Sequence, residues 1–147
     1  MIYTELTRKA MVIAYNAHHK QTDKSGVPYI FHPISVAEQM HDEYTTCIAL
    51  LHDTVEDTSV TLEELSKEFP KEVVDAVALL THDKSVSYDE YLRKIKTNAM
   101  ATAVKVADVN HNSSPDRLSL TFMDQQTIDR LTRKYEKAKA ILNENEA

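Results

Sequence analysis

The chain has 147 residues, enough for one domain with a sizeable core and too few for two ordinary ones. Apolar residues make up 42% and charged residues 27%, which excludes a disordered tail, and a single Gly with four Pro argues against an all-β fold and its many tight turns. The formal net charge of -6 disfavours a nucleic-acid polymer or an anionic membrane as partner, although a metal or lysine cluster can invert the field inside a cleft and admit a small anion.

The longest apolar run, residues 10–15, is far short of a membrane span, and the charges at Glu5, Arg8 and Lys9 do not read as a signal peptide. Ile2, Leu6, Ala10, Ile13, Ala14 and Ala17 recur at helical spacing and predict a first helix ending near His19. Residues 21–28 hold the only Gly and are expected to form a loop. Pro33 suits the first turn of a second helix with Ile34, Ala37 and Met40 on one face. Residues 45–53 predict a short, strongly apolar third helix buried on most sides. It carries Cys47, the only cysteine, which excludes an internal disulfide or a CxxC zinc site and reads as an inert core thiol in a reducing cytoplasm.

Thr61 and Glu64 have capping-box spacing and open a helix through Phe69, closed by Pro70. Val73, Val74, Val77 and Leu80 mark the next helix; Ser87 and Glu90 cap another that carries Tyr91, Leu92 and Ile95. Residues 99–107 predict an apolar helix with Asp108 at its end, then a polar loop over 112–116. Residues 124–143 form the last helix, with Ile128, Leu131, Tyr135, Ala138 and Leu142 as its inner stripe. The expectation is an all-α bundle of seven to nine helices forming a single domain over residues 1–147.

Four positions stand out chemically. Neighbours on a helix point about 100° apart, so His52 and Asp53 can reach one ion only near a helix end, which is where the apolar run gives way to Thr54-Val55-Glu56-Asp57-Thr58. Taken alone, the pair reads more readily as a polar helix end, because His-Asp occurs by chance. His32 precedes Pro33, which fixes the direction of the imidazole. Asp108, flanked by Ala107 and Val109, is expected to be buried and therefore paired or coordinated, with Lys105 as the other candidate partner. Two imidazoles with two carboxylates suit Mn²⁺, Fe²⁺, Zn²⁺, Co²⁺ or Ni²⁺. Such an ion can polarise a phosphoryl oxygen and activate water, and Glu56 and Asp57 stand one turn later as proton-transfer candidates.

The ordered blocks Tyr29-Ile30-Phe31-His32-Pro33, Leu50-Leu51-His52-Asp53-Thr54-Val55-Glu56-Asp57-Thr58 and Lys105-Val106-Ala107-Asp108, with Asn112 four positions on, resemble the HD superfamily of metal phosphohydrolases. Within it they look like the hydrolase domain of RelA/SpoT-type alarmone enzymes, and most like stand-alone members such as the metazoan SpoT homologue. The resemblance covers residues 18–117. It implies His32, His52, Asp53 and Asp108 as ligands of one ion, usually Mn²⁺, and Glu56 and Asp57 as the pair handling water and protons. It also implies Lys24, Ser25 and Asn112 as nucleotide contacts, and release of pyrophosphate from the 3′-position of guanosine tetra- or pentaphosphate, (p)ppGpp. The length leaves no room for a synthetase domain.

Two departures bear on the substrate. The loop Gln21-Thr22-Asp23-Lys24-Ser25-Gly26 places Asp23 where the family usually has an Arg that packs on the base, and Asp108 is followed by Val109 rather than a basic residue. An HD hydrolase of another nucleotide (a nucleoside monophosphate, a dinucleotide cofactor phosphate or a damaged nucleotide) is the alternative, and a non-catalytic nucleotide sensor a third. Of the remaining histidines, His111 is a candidate support for Asp108, His18 and His19 end the first helix, His41 is a surface residue, and His82 has no assigned role.

Overall fold

A computed structural model describes residues 1–119 and 123–144. Among these, ten helical segments follow one another: α1 Glu5–Ala17, α2 Phe31–Glu38, α3 Glu43–Leu51, α4 Thr54–Asp57, α5 Leu62–Ser66, α6 Lys71–Leu80, α7 Tyr88–Ile95, α8 Ala99–Asn112, α9 Pro115–Ser119 and α10 Gln125–Leu142. Only His52 and Asp53 separate the single turn α4 from α3, so that the two count as one interrupted helix. The fold is all-α, as the spacing predicts. None of the described helices is long and apolar enough to cross a membrane.

Local chemistry explains the helix starts. Thr61 accepts from Glu64 N at 3.1 Å and Ser87 from Glu90 N at 3.1 Å, at both predicted capping sites. Asp42 caps α3 through Thr45 N at 2.8 Å. α1 opens with Thr4 and Thr7 bonded reciprocally, a capping box in which a hydroxyl serves where Glu is usual. The first helix stops at Ala17 and the chain turns sharply, with Lys20 in the left-handed region at φ 71°. Residues 21–29 then form a narrow loop closed by Asp23 N to Val27 O and Tyr29 N to Gln21 O, both 2.8 Å. Its tip needs the positive φ of Gly26, 85°.

α3 is the centre of the molecule. Every residue from Thr45 to His52 is buried, and α1, α2, α6 and α8 pack around it. Ile48, Leu50 and Leu51 are among the largest fully buried side chains; truncating one of them to Ala should cost about 2–5 kcal/mol. Cys47 lies in this layer, where burial, then Glu43, pushes its thiol up to about 12, so it is inert.

Two boundaries differ from expectation and shape the site. α8 continues through Asp108 to Asn112, and the loop expected over 112–116 contains the start of α9 at Pro115. α10 buries Ala138, Ile141 and Leu142, whereas Ile128, Leu131 and Tyr135 are only half-buried and leave a cleft in front of α8 and α9.

Candidate metal centre

His52 and Asp53 converge because the helix breaks between them. His52 caps α3 in helical geometry, and Asp53 moves to φ −105°, ψ −2°. The side chains of these consecutive residues then face the same point instead of diverging by a helical step. α2 brings His32 to that point and α8 brings Asp108. His32 Nε2 lies 2.8 Å from Asp108 Oδ1 and 3.8 Å from Asp53 Oδ2; His52 Nε2 lies 3.0 Å from Asp53 Oδ2 and 3.4 Å from Asp108 Oδ1. His32, His52 and Asp53 each offer a ligand atom within 4.8 Å of the others. The structure thus brings together all four residues singled out in the sequence.

The donor set fits a divalent cation. His52 Nδ1 donates to Ala49 O at 2.5 Å, which leaves Nε2 fully buried beside two carboxylates without an aligned hydrogen-bond partner. A buried nitrogen crowded against the buried Asp108 carboxylate and the half-buried Asp53 carboxylate needs positive charge among them. Lys105 Nζ supplies one charge at 2.8 Å from Asp108 Oδ2, so the expected pairing of Asp108 with Lys105 and its place in the cluster are both realised, one on each oxygen. Without a metal a proton supplies the rest. Burial alone would lower the affinity of His52 for a proton, but Asp53 and Asp108 outweigh it and hold its pKa well above the ordinary imidazole value. His32 is shifted down, by burial before any other cause. Burial pushes the Asp53 carboxyl up, yet His52 beside it prevails and brings it down to about 2.

Further contacts fix these groups. The Tyr29 hydroxyl donates to Asp53 Oδ2, and burial followed by Asp53 raises its pKa, so it stays a donor. Asn112 Nδ2 donates to Asp108 Oδ1 at 3.1 Å, one helical turn along the extended α8. His111 stacks on His32 with ring centroids 5.0 Å apart; burial, then His32 and Arg117, lower its pKa to about 4, so it is neutral. Arg117, from α9, donates to Asn112 Oδ1 and lies 3.7 Å from Asp23 Oδ2.

Two cavities flank the centre. One, of about 300 Å³, is lined by Lys24, Ser25, Tyr29, Asn112, Arg117 and Tyr135, among others, and so gathers the three residues expected to contact a nucleotide. The other, of about 150 Å³, is strongly polar: Asp53, Glu56 and Asp108 line it together with Lys84, Lys105 and Lys134. Asn112 and Tyr135 border both cavities. Glu56 accepts from His82 N at 2.6 Å, and the His82 ring lies on Tyr91 at 4.5 Å. Asp57 lies outside both cavity linings; burial, then Asp53 and Glu56, raise its carboxyl pKa.

Several of these groups were not legible in the sequence. Tyr29 precedes the His32-Pro33 pair with nothing in its spacing to mark a role, and Lys84, Lys134 and Arg117 carry no signal beyond their charge. His18, read as a helix-end imidazole, is buried against Tyr29 with Nδ1 2.8 Å from Gln21 Oε1. His19 and His41 are exposed.

Fold and centre together define a helical protein of a divalent-metal class, with a candidate ion site assembled from α2, the α3 break and α8. The chain belongs to the HD-domain family, whose pattern matches residues 10–111. It is 43% identical over 121 residues to a probable GTP pyrophosphokinase of Mycobacterium leprae, covering 73% of this chain and 15% of that protein. It is 36% identical over 120 residues to the bifunctional (p)ppGpp synthase/hydrolase SpoT of Escherichia coli K12, covering 71% of this chain and 17% of that protein. The chain thus spans less than a fifth of the length of these curated relatives. A solved structure described as a metazoan ortholog of SpoT that hydrolyzes ppGpp is similar over 100% of this chain and 90% of its own, with a TM-score of 0.82 and 27% identity.

Proposed function

We propose that this protein is a divalent-metal-dependent phosphohydrolase that removes pyrophosphate from the 3′-position of (p)ppGpp. His32, His52, Asp53 and Asp108 are the ligands of a single ion, which we assign as Mn²⁺, consistent with mixed nitrogen and oxygen donors. The observation that carries this reading is the orphaned His52 Nε2 facing the carboxylates of Asp53 and Asp108 between a nucleoside-sized cavity and a lysine-lined one. When bound, such an ion supplies Lewis-acid polarisation and lowers the pKa of water.

The chain's own groups do the rest. Lys24, Ser25, Asn112 and Tyr135 line the nucleoside side, and Lys84, Lys105 and Lys134 offer charge to the departing pyrophosphate. Glu56, held by His82 N, is placed to take a proton from the attacking water. Asp57, with its carboxyl pKa raised, is suited to hold a proton for the 3′ oxygen as the P–O bond breaks. The lone buried Cys47 supports a cytoplasmic setting, and the acidic surface supports a small nucleotide rather than a polymer as the partner.

A second reading is favoured by one observation. Asp23 stands at the nucleoside cavity with its Oδ1 engaged by Ser25 N and Val27 N, at 2.8 and 3.0 Å, so position 23 offers an anion and no base-packing cation. That arrangement suits an HD hydrolase of a different nucleotide. A screen with Mn²⁺ over 3′-pyrophosphorylated, 5′-mono- and cyclic nucleotides separates the two. Pyrophosphate release from (p)ppGpp supports the first reading; turnover of 5′-monophosphates alone replaces it with the second. In the same assay Glu56→Gln should keep the metal and lose about 100-fold or more in turnover. Unchanged turnover removes Glu56 from the mechanism.

A further inference from the structure

At the edge of the metal centre two imidazole nitrogens face each other: His32 Nδ1 and His111 Nδ1 are 2.7 Å apart. The rings lie nearly parallel, 17° from coplanar. At that separation one nitrogen carries a proton and the other presents a lone pair. Which one does so is decided on the far side of the His32 ring. His32 Nε2 points into the cluster, 2.8 Å from Asp108 Oδ1. A cation held there takes the Nε2 lone pair, and the single proton of the neutral ring then belongs on Nδ1. His32 Nδ1 has two neighbours, His111 Nδ1 and, at 3.2 Å, Arg117 Nη1. A guanidinium only donates, so of the two only His111 can accept.

We propose that His111 is the positioning residue for His32: its Nδ1 accepts the His32 Nδ1–H and thereby fixes the tautomer and ring direction in which His32 binds a metal ion. His52 has the equivalent device within its own helix, where Nδ1 donates to Ala49 O. α2 provides no such carbonyl to His32, and α8 supplies an imidazole in its place. Arg117 completes the arrangement. Its Nη1 lies 3.3 Å from His111 Nδ1, as a second and more distant donor toward the lone pair that His32 Nδ1 meets at 2.7 Å, and it donates to Asn112 Oδ1. His111 is only half-buried, so replacing it opens no core cavity, and an effect on metal binding is separable from an effect on folding.

The inference rests on the metal-centre reading, and the experiment distinguishes their failures. Mn²⁺ binding to the metal-stripped full chain is measured by titration calorimetry, with thermal melts of the same metal-free samples. The parent should bind about one ion per chain; a parent that binds none overturns both readings. Given a binding parent, His111→Leu should weaken Mn²⁺ affinity about 10- to 100-fold with an unchanged metal-free melt. His111→Asn, which keeps an acceptor oxygen close to the place of Nδ1, should stay within about threefold of the parent. Parent-like affinity in His111→Leu, or an equal loss in both variants, overturns the role of His111. Imidazole nitrogen NMR of the Zn²⁺-loaded parent gives an independent reading. A protonated His32 Nδ1 supports the assignment, and a protonated Nε2 overturns it.

Discussion

For single residues, the centre is a problem of charge. Asp53 and Asp108 bring two negative charges into a buried space, Lys105 offsets one, and in the metal-free protein the proton on His52 offsets the other. A cation that binds there must displace that proton. The His52 pKa is raised above 6.5, so the apparent affinity for Mn²⁺ should be full at pH above that raised value. It should fall about tenfold for each pH unit below it, with a proton released per ion bound. Calorimetry in buffers of different ionisation enthalpy counts that proton, and an affinity unchanged between pH 6 and 9 would refute the assignment. These four residues were legible because their types and order are unusual. Their surroundings were not: Asp23 stands out in the sequence only as a departure from the family pattern, and its partner Arg117 becomes visible only when α9 and the 21–29 loop meet at 3.7 Å.

At the level of elements, most helices were legible from spacing and caps, since Thr61, Ser87 and the apolar stripes act locally. The misplaced boundaries share one physical cause. Residues 108–112 look like a helix end because Asp108, Asn110, His111 and Asn112 are polar, yet three of these have partners on other elements: His32 for Asp108 and for His111, and Arg117 for Asn112. With those partners the helix continues, and Asn112 reaches the site. The turn after α1 is a different case, in which the residue does not suit its conformation. Lys20 sits at φ 71°, where an L side chain costs about 1–2 kcal/mol, and Gly avoids that cost at the expense of a more flexible unfolded chain. Lys20→Gly should therefore stabilise the protein by about 0.5–1 kcal/mol in urea unfolding. Lys20 is exposed, so the gain should come without loss of metal binding, and a destabilised variant would show that the Lys side chain contributes a contact of its own.

For the whole molecule, an ion held at this centre would act as a cross-link. His32 and Asp108 are 76 residues apart in sequence and meet at 2.8 Å, with the end of the central helix between them, so one cation would tie α2, α3 and α8 together. An unfolded chain cannot present that constellation, and binding free energy is then folding free energy. At a free Mn²⁺ concentration of about 100 times Kd, the stabilisation should be about 2.7 kcal/mol. For a chain of this length that corresponds to a rise in Tm of roughly 5–10 °C over the chelator-treated protein. The comparison that isolates the effect is the double variant His52→Ala/Asp53→Ala. It removes an imidazole and a carboxylate together, so it leaves less uncompensated charge than either single change, but it also removes the ion's anchor at the helix break. Its melt should be the same with Mn²⁺ and with chelator, whereas the parent's should separate. If the double variant retained a metal-dependent shift, the stabilising ion would sit elsewhere on the molecule, and the convergence of α2, α3 and α8 would have to be explained by the His52 proton and Lys105 alone.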